Sequence, residues 1–182
     1  YTGLTVLLLS SFVNFASAND IYITQVGDTL DLDIVQDGTG NKIGDAVTGV
    51  DLDGASMTFS ISQVGNNNVV AALIKGATYT GTWDITGSGN DIDFKCSSTS
   101  TGNCEDVTAS IDIDGDNTNL DLYIGENGDA DDTNVTLNID GNGNILAMAL
   151  DGTDLELNYT IDNSANSGGS STLANTCLLY TS

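Results

Sequence analysis

Apolar and polar residues alternate with a period of two along most of this chain, and glycines interrupt the alternation at fixed intervals. Successive side chains of a strand point to opposite faces, so this alternation predicts strands with one apolar face. Around residues 57–85 four glycines lie eleven positions apart: Gly54, Gly65, Gly76 and Gly87. The two arms that flank Gly65 carry on one face Met57, Phe59, Ile61 and Gln63, then Asn68, Val70, Ala72 and Ile74.

The same pattern divides the chain into six strand–turn–strand units, at about 21–41, 43–63, 68–85, 90–113, 118–139 and 144–161. A fixed period of this size is typical of a solenoid, in which each unit stacks on the next. We therefore predict an all-β fold, a β-solenoid of stacked strand–turn–strand repeats with amyloid-like cross-β pairing about 4.8 Å between coils. A sandwich is the alternative, but the fixed turn spacing favours coils in register. Short insertions are expected near 44–48, 97–103 and 125–132.

The inward face of the first unit is expected to carry Ile21, Ile23, Gln25, Leu30, Leu32, Ile34 and Gln36. Trp83 falls on the inward side of its strand, as do Tyr79 and Phe94, which favours the core over a sugar-binding platform.

Both ends of the chain depart from the repeat. Residues 1–18 form an apolar run that leads to Ala16-Ser17-Ala18, which predicts a truncated signal peptide; a first core strand or short helix is the alternative. Residues 19–163 are then the solenoid of a secreted, extracellular protein with no membrane span in its mature part. Residues 164–182 read as a Ser/Gly linker and a tail that we interpret as non-native sequence.

Acidic residues dominate the charge: 26 Asp and Glu face three lysines and no arginine, for a formal net charge of −23. This balance argues against nucleic acid as a partner, since phosphates would not be neutralised. The chain also contains no histidine and no proline. Without histidine there is no Ser-His-Asp or Cys-His arrangement, and we expect no enzyme activity.

The segment Gln63-Val64-Gly65-Asn66-Asn67-Asn68 matches Gln-x-Gly-x-x-Asn and resembles the curlin repeat of bacterial curli fibre subunits. The first unit fits in part, since Gln25 and Gly27 open its turn, Leu30 stands where Asn belongs, and Gln36 falls at the closing Gln. The pairs Gly87/Asn90 and Gly141/Asn144 keep Gly-x-x-Asn, with Ile85 and Ile139 in place of Gln. The repeat-ladder positions are thus Gln25, Gly27, Gln36, Gln63, Gly65, Asn68, Gly87, Asn90, Gly141 and Asn144.

The resemblance implies a functional amyloid: a subunit that leaves the cell through an outer-membrane secretion pore and polymerises at the cell surface, with a nucleator, into fimbria-like biofilm fibres for adhesion. The residues support the same idea independently. A solenoid has two open ends, each a row of unpaired backbone groups, and no proline blocks either one. We also expect Gln25 and Gln63 to occupy equivalent sites and to form amide ladders between coils; the alternative is that they are polar turn residues.

Carboxylates recur beside the turns, and stacking would bring Asp114 and Asp140 about one strand spacing apart. Hard cations such as Ca²⁺ prefer such ligands, so Ca²⁺ is a candidate ligand although no cofactor is required. The candidate calcium ligands are Asp114, Asp140, Glu126, Asp129, Asp131 and Asp132. The alternative is a solvated acidic surface.

Cys96 and Cys104 bracket a Ser/Thr/Gly loop and are candidates for a disulfide in an oxidising compartment, with two separate thiols as the alternative.

Three functions remain in view. The first is the structural fibre subunit that polymerises by templated end-to-end β-addition. The second is a monomeric acidic β-solenoid, part of an adhesin and folded by calcium. The third is a carbohydrate-active β-helix with paired acids, which the spread of the acids along every coil disfavours.

Overall fold

A computed structural model describes residues 20–44, 49–96, 104–125, 130–151, 154–162 and 172–175. The predicted signal peptide and most of the predicted tail lie outside these ranges. The described chain is all-β, and its parallel strands coil into a β-solenoid of about five turns, which confirms the predicted fold class. Within the described residues there is no helix long and apolar enough to cross a membrane.

Short strands separated by turns make up each coil. The strands are β1 (Asp20–Ile21), β2 (Thr24–Val26), β3 (Thr29–Asp37), β4 (Lys42–Ile43), β5 (Val50–Asp53), β6 (Ser56–Val64), β7 (Val69–Thr86), β8 (Asp91–Cys96), β9 (Cys104–Asp114), β10 (Asn119–Ile124), β11 (Thr133–Asp140), β12 (Ile145–Leu150), β13 (Leu155–Asp162) and β14 (Thr172–Asn175). Strand β14 extends the sheet beyond residue 163, the predicted end of the solenoid.

Every strand pair is parallel, and the strands form two facing ladders that β7 joins. The first ladder runs β1 and β2, β4 and β5, the first half of β7, β8, β10, β12 and β14. The second runs β3, β6, the second half of β7, β9, β11 and β13. Because residues pair in register from coil to coil, each position belongs to a column that runs along the solenoid axis.

One coil contains 22 residues plus any insertion. Thr133 pairs with Leu155, 22 positions later, whereas Cys96 pairs with Ile124, 28 positions later. The extra residues of the longer coils lie at the expected insertions. The sequence separation between paired residues changes across three ranges, 45–48, 97–103 and 126–129. Insertions at the corners therefore leave the strand columns aligned. After each insertion, inward residues again pair with inward residues and outward residues with outward ones.

The core lies between the two ladders and is built from the inward-facing residues of both. The middle coils bury these side chains completely, and Phe59, Leu52, Ile74, Ile92 and Ile113 are each 0% exposed. Inward residues of the first and last coils, such as Ile21 and Leu155, are only partly buried. The predicted inward face of the first unit is thus confirmed, and the open ends explain its incomplete burial.

An aromatic cluster fills the centre of the core. Trp83 packs against Phe59 and Phe94, with ring centroids 6.0 and 5.0 Å away. Its indole N–H donates to the Tyr79 hydroxyl at 3.0 Å, and that hydroxyl donates to the Phe59 carbonyl oxygen at 3.0 Å. Burial raises the pKa of Tyr79, since the phenolate form would be desolvated. The core assignment of Trp83, Tyr79 and Phe94 is confirmed.

Gly81 occupies an inward position inside this cluster, on the same face as Tyr79 and Trp83. A Cβ there would overlap the Tyr79 hydroxyl and the Phe59 carbonyl oxygen. The missing side chain therefore makes the space that the two large rings fill.

A disulfide joins Cys96 at the end of β8 to Cys104 at the start of β9, with the two Cα atoms 5.7 Å apart. It closes the loop 97–103, which lies outside the described residues, and ties the two ladders together at one corner. Both cysteines are fully buried.

Replacing both residues, Cys96→Ser with Cys104→Ser, is expected to lower the free energy of unfolding by about 2–3 kcal/mol. The reason is that the open loop regains conformational freedom in the unfolded chain. Urea denaturation measures the change, and reductant should shift the parent protein to the midpoint of the variant. A reductant effect of equal size on the double variant would contradict this assignment.

Candidate functional site: column ladders and open ends

Asparagine side chains form a ladder along one corner of the solenoid. The Oδ1 atom of Asn68 accepts from the backbone N–H of Asn41 at 3.2 Å, and that of Asn90 accepts from Asn68 N–H at 3.0 Å. Each side-chain amide also donates to the glycine three residues earlier, Asn68 to Gly65 at 3.1 Å and Asn90 to Gly87 at 2.7 Å. Asparagine side chains thus provide hydrogen-bond partners for backbone N–H and carbonyl groups at the corners of two consecutive coils.

The ladder changes at Thr118, which takes the asparagine position in the next coil. The Thr118 N–H still donates to Asn144 Oδ1, at 2.7 Å. Its own hydroxyl is buried, and no hydrogen-bond partner is found for it within the described residues. The predicted ladder residues Asn68, Asn90 and Asn144 therefore share one column, with one break.

A glutamine pair lies beside this ladder. Gln63 is fully buried, and its side-chain Nε2 donates to Gln36 Oε1 at 2.7 Å. The expectation that Gln25 and Gln63 occupy equivalent sites is wrong. Gln25 pairs with Leu52 in the first ladder, whereas Gln63 pairs with Gln36 in the second, because the two glutamines precede opposite corners of the coil.

The structure also reveals a second copy of the motif, which was not predicted. Residues 36–41, Gln-Asp-Gly-Thr-Gly-Asn, have the same Gln-x-Gly-x-x-Asn spacing as residues 63–68. Gln36 therefore opens a turn rather than closing one, and Asn41 begins the asparagine ladder. The sequence contained the signal needed to find this pair, since the two motifs lie 27 positions apart, one coil plus one insertion.

The predicted turn glycines fall at two different corners. Gly65, Gly87 and Gly141 lie at the asparagine corner. The backbone N–H of each donates to a backbone carbonyl oxygen of the next coil, that of Thr86, Asp114 and Asp162 respectively. Each of these acceptors directly precedes the position that corresponds to the glycine. Gly27 lies at the opposite corner and donates to the carbonyl oxygen of Asp53 at 2.9 Å. The eleven-residue glycine spacing is thus half a coil.

Among the described residues, the candidate calcium ligands lie at two separate places. Asp114 and Asp140 are in-register neighbours on β9 and β11, as expected, and Asp162 follows them in the same column. Asp131 and Asp132 lie on the exposed approach to β11, while Glu126 and Asp129 fall outside the described residues. Within the described ranges no group of three or more His, Cys, Asp or Glu side chains is arranged to hold a metal ion.

A second carboxylate pair lies on the outer face of the first ladder, where Asp93 and Asp121 are in-register neighbours. Burial raises the pKa of Asp121, and the charge of Asp93 and a hydrogen bond to its carboxyl raise it further. Lys95 opposes this increase; it binds Asp93 at 2.9 Å and lies 5.9 Å from the centre of the Tyr123 ring.

Asp121 is expected to lower the free energy of unfolding as the pH rises. With its pKa raised on folding, the folded chain holds a proton that the unfolded chain has already lost between the ordinary carboxyl pKa and the raised one. Asp121→Asn removes this cost and is expected to stabilise the fold by about 0.5–1 kcal/mol at pH 7, with little effect in acid. Thermal unfolding across this pH range measures the difference.

Asp53→Asn is the matched control, since Asp53 lies on the same ladder between Val26 and Lys75. It removes one charge without relieving a like-charged neighbour. Equal stabilisation by the two substitutions would show that net charge, and not the Asp93 contact, is responsible.

The two ends of the second ladder present matching, incompletely covered apolar faces. At one end β3 offers the partly buried Leu30 and Leu32 beside the buried Ile34, and at the other β13 offers Leu155, Leu157 and Tyr159. Tyr159 takes an inward position, in the column of Leu137, yet is 52% exposed. In the described chain each of these strands pairs on one side only. Each end of the second ladder therefore offers an unpaired strand edge beside a partly uncovered apolar face, while in the first ladder β14 pairs with β12.

Comparison with known proteins adds no identity, since no protein-family model, curated protein or solved structure matches this chain.

Proposed function

We propose that this chain is a secreted structural subunit that polymerises end to end into curli-like extracellular fibres of the cell surface. One observation carries the proposal: the partly exposed inward faces of β3 and β13 belong to the same columns of one ladder. Stacking β3 of one copy on β13 of another places Leu30 on Leu155, Leu32 on Leu157, and Ile34 on Tyr159. The same register puts β1 of the added copy where β14 lies on β12, so addition displaces β14. Burial of these side chains and completion of the strand pairing both favour addition.

The ladder chemistry supports the same role. Asparagine and glutamine amides that repeat in register give each coil the same polar contacts to the next, which suits a structure extended by identical additions. The disulfide is typical of proteins that fold outside the reducing cytoplasm and agrees with a secreted subunit. A secretion pore and a nucleator would be its partners, as in the curli system that the repeat resembles.

The function is structural and needs no chemistry at a reacting group. The acids of the described chain lie along the columns of both ladders and not in one cleft, and the sequence contains no histidine. The role rests on backbone pairing and apolar burial, which every coil provides.

Electron microscopy of the purified protein, held for a day in excess EDTA, tests the proposal. Unbranched fibres would support polymerisation that needs no divalent cation. A protein that stays monomeric in EDTA and folds only when calcium is added would contradict it and would favour a calcium-dependent adhesin module instead.

A further inference from the structure

The columns of the second ladder fix the register in which two copies can join. One column runs from Asp31 through Thr58, Thr80, Thr108 and Asn134 to Glu156. Another runs from Asp37 through Val64, Thr86, Asp114 and Asp140 to Asp162. Continuing the same register, β3 of a second copy places its Asp31 on Glu156 and its Asp37 on Asp162.

We infer that this junction is a contact of acid against acid, so that protonation or salt screening of its carboxylates controls assembly; the inference rests on the proposed fibre function. Neighbouring strands lie about 4.8 Å apart, and like charges directly opposite each other on such strands are destabilising. The Asp37 column adds to this effect. Asp114, Asp140 and Asp162 already stack within one copy, and the junction adds a fourth carboxylate to the row.

The strands that meet at the junction carry acids and no lysine. The ionisable groups are Asp31, Asp33 and Asp37 on β3, Asp154, Glu156 and Asp162 at or on β13, and Asp132 and Asp140 at or on β11, while β6 has none. Glu156 receives hydrogen bonds from the amides of Asn134 and Asn158, at 3.5 and 3.0 Å, which are neutral donors and leave its charge uncompensated.

The repulsion is confined to one ladder. In this register β1 of the added copy takes the place of β14 on β12, since Asp20 belongs to the same column as Thr172, so β14 leaves the sheet when a copy adds. The first-ladder junction then joins β12, which contains no ionisable residue, to β1 and β2, which contain only one, Asp20. The first ladder and the apolar core layer therefore favour addition at any pH, while the outer face of the second ladder opposes it when its carboxylates are charged.

The direction of the pH effect follows from proton binding. Bringing two carboxylates together raises their proton affinity, so the joined state binds more protons than the separate copies. A state that binds more protons is favoured as pH falls. Assembly is therefore expected to strengthen on acidification and with added salt, which screens exposed charges.

The test compares two double variants of the purified protein that lose the same number of charges. Asp37→Asn with Glu156→Gln removes one acid from each junction pair. Asp84→Asn with Asp106→Asn removes two exposed acids from the central strands β7 and β9, where Asp84 pairs with Asp112 and Asp106 pairs with Thr78 within the same copy. The measured quantity is the protein concentration that remains in solution after assembly, at pH 7 and pH 4 in low salt.

The junction variant is expected to leave about tenfold less protein in solution than the parent at pH 7, equivalent to 1.4 kcal/mol. The difference should disappear at pH 4, and the control variant should follow the parent. Asp37→Lys provides the reverse test, since a lysine facing Asp162 should promote assembly at pH 7 and lose this advantage in acid. Circular dichroism of the monomers checks that every variant folds.

The outcomes separate the two proposals. Fibres whose formation is equally changed by the junction and control variants would overturn this inference and leave the fibre function standing. Absence of fibres from the parent protein at every pH and salt concentration would overturn the fibre function and this inference with it.

Discussion

Replacing Gly87 with alanine is expected to lower the free energy of unfolding by more than about 4 kcal/mol, a loss seen only where a substitution breaks a specific structural requirement. Gly87 has φ of +137°, a backbone conformation that costs a residue with a side chain about 1–3 kcal/mol. A Cβ would also overlap the carbonyl oxygen of Gly65 in the preceding coil. That oxygen is fixed by the Asn68 side chain at 3.1 Å, so the two coils must separate.

The separation would break the hydrogen bonds on either side of the corner, from Gly65 N–H to Thr86 at 2.9 Å and from Gly87 N–H to Asp114 at 2.8 Å. Gly40→Ala is the control, since φ there is +68° and a Cβ meets nothing within 4 Å. It should cost only the roughly 1–2 kcal/mol of a left-handed backbone. Urea denaturation of both variants measures the contrast, and equal losses would show that backbone strain alone, without the clash, determines the stability.

Trp83→Ala is expected to destabilise the fold by about 3–5 kcal/mol, the usual cost of removing a large buried ring. Trp83 is fully buried and contacts the Phe59 and Phe94 rings on neighbouring coils. Its loss leaves a cavity in the middle of the solenoid and removes the donor that the Tyr79 hydroxyl accepts from. Thermal and urea unfolding measure the effect.

Trp83→Phe separates the two contributions. It keeps an aromatic ring in the cluster and removes the N–H donor, so it should cost less than the alanine variant, about 1–3 kcal/mol. A loss as large as that of Trp83→Ala would show that the hydrogen bond, and not ring packing, dominates at this position.

The alternation of apolar residues was sufficient to predict the architecture and most of the core. The prediction succeeded because each strand of a solenoid pairs in register with the equivalent strand of the next coil. The inward residues can therefore be identified from each strand separately. Trp83, Tyr79 and Phe94 followed from this alternation alone. Their contacts did not, since the close packing depends on Gly81, whose role is visible only when the rings are in place.

The glutamine pairing was predicted wrongly because two glycine turns on opposite sides of a coil, eleven residues apart in the ideal repeat, were treated as equivalent. One coil contains two such corners, so Gln25 and Gln63 belong to opposite sides of the solenoid. The motif at Gln36 and Asn41 identifies the correct period once both corners are distinguished.

The carboxylate pairs depend on insertions and were harder to predict. Asp93 faces Asp121 across 28 positions, and Asp114 faces Asp140 across 26. An insertion at a corner changes the sequence distance without changing the column, so a fixed period does not show which acids meet. The backbone pairing supplies that information, and the junction register depends on it.

Disulfide trapping across the junction tests most directly the central claim that β3 of one copy pairs with β13 of the next. Asp31→Cys with Glu156→Cys, in a Cys177→Ser background, places two thiols on one column, within reach of each other only between copies. Within one copy five strand spacings separate them, roughly 24 Å. The control, Asp31→Cys with Thr160→Cys, places the second thiol on the column of Val35. Oxidised assemblies of the first variant should give a covalent ladder of multimers on a non-reducing gel, and those of the control should not. A gel without multimers, or equal ladders from both variants, would contradict the account.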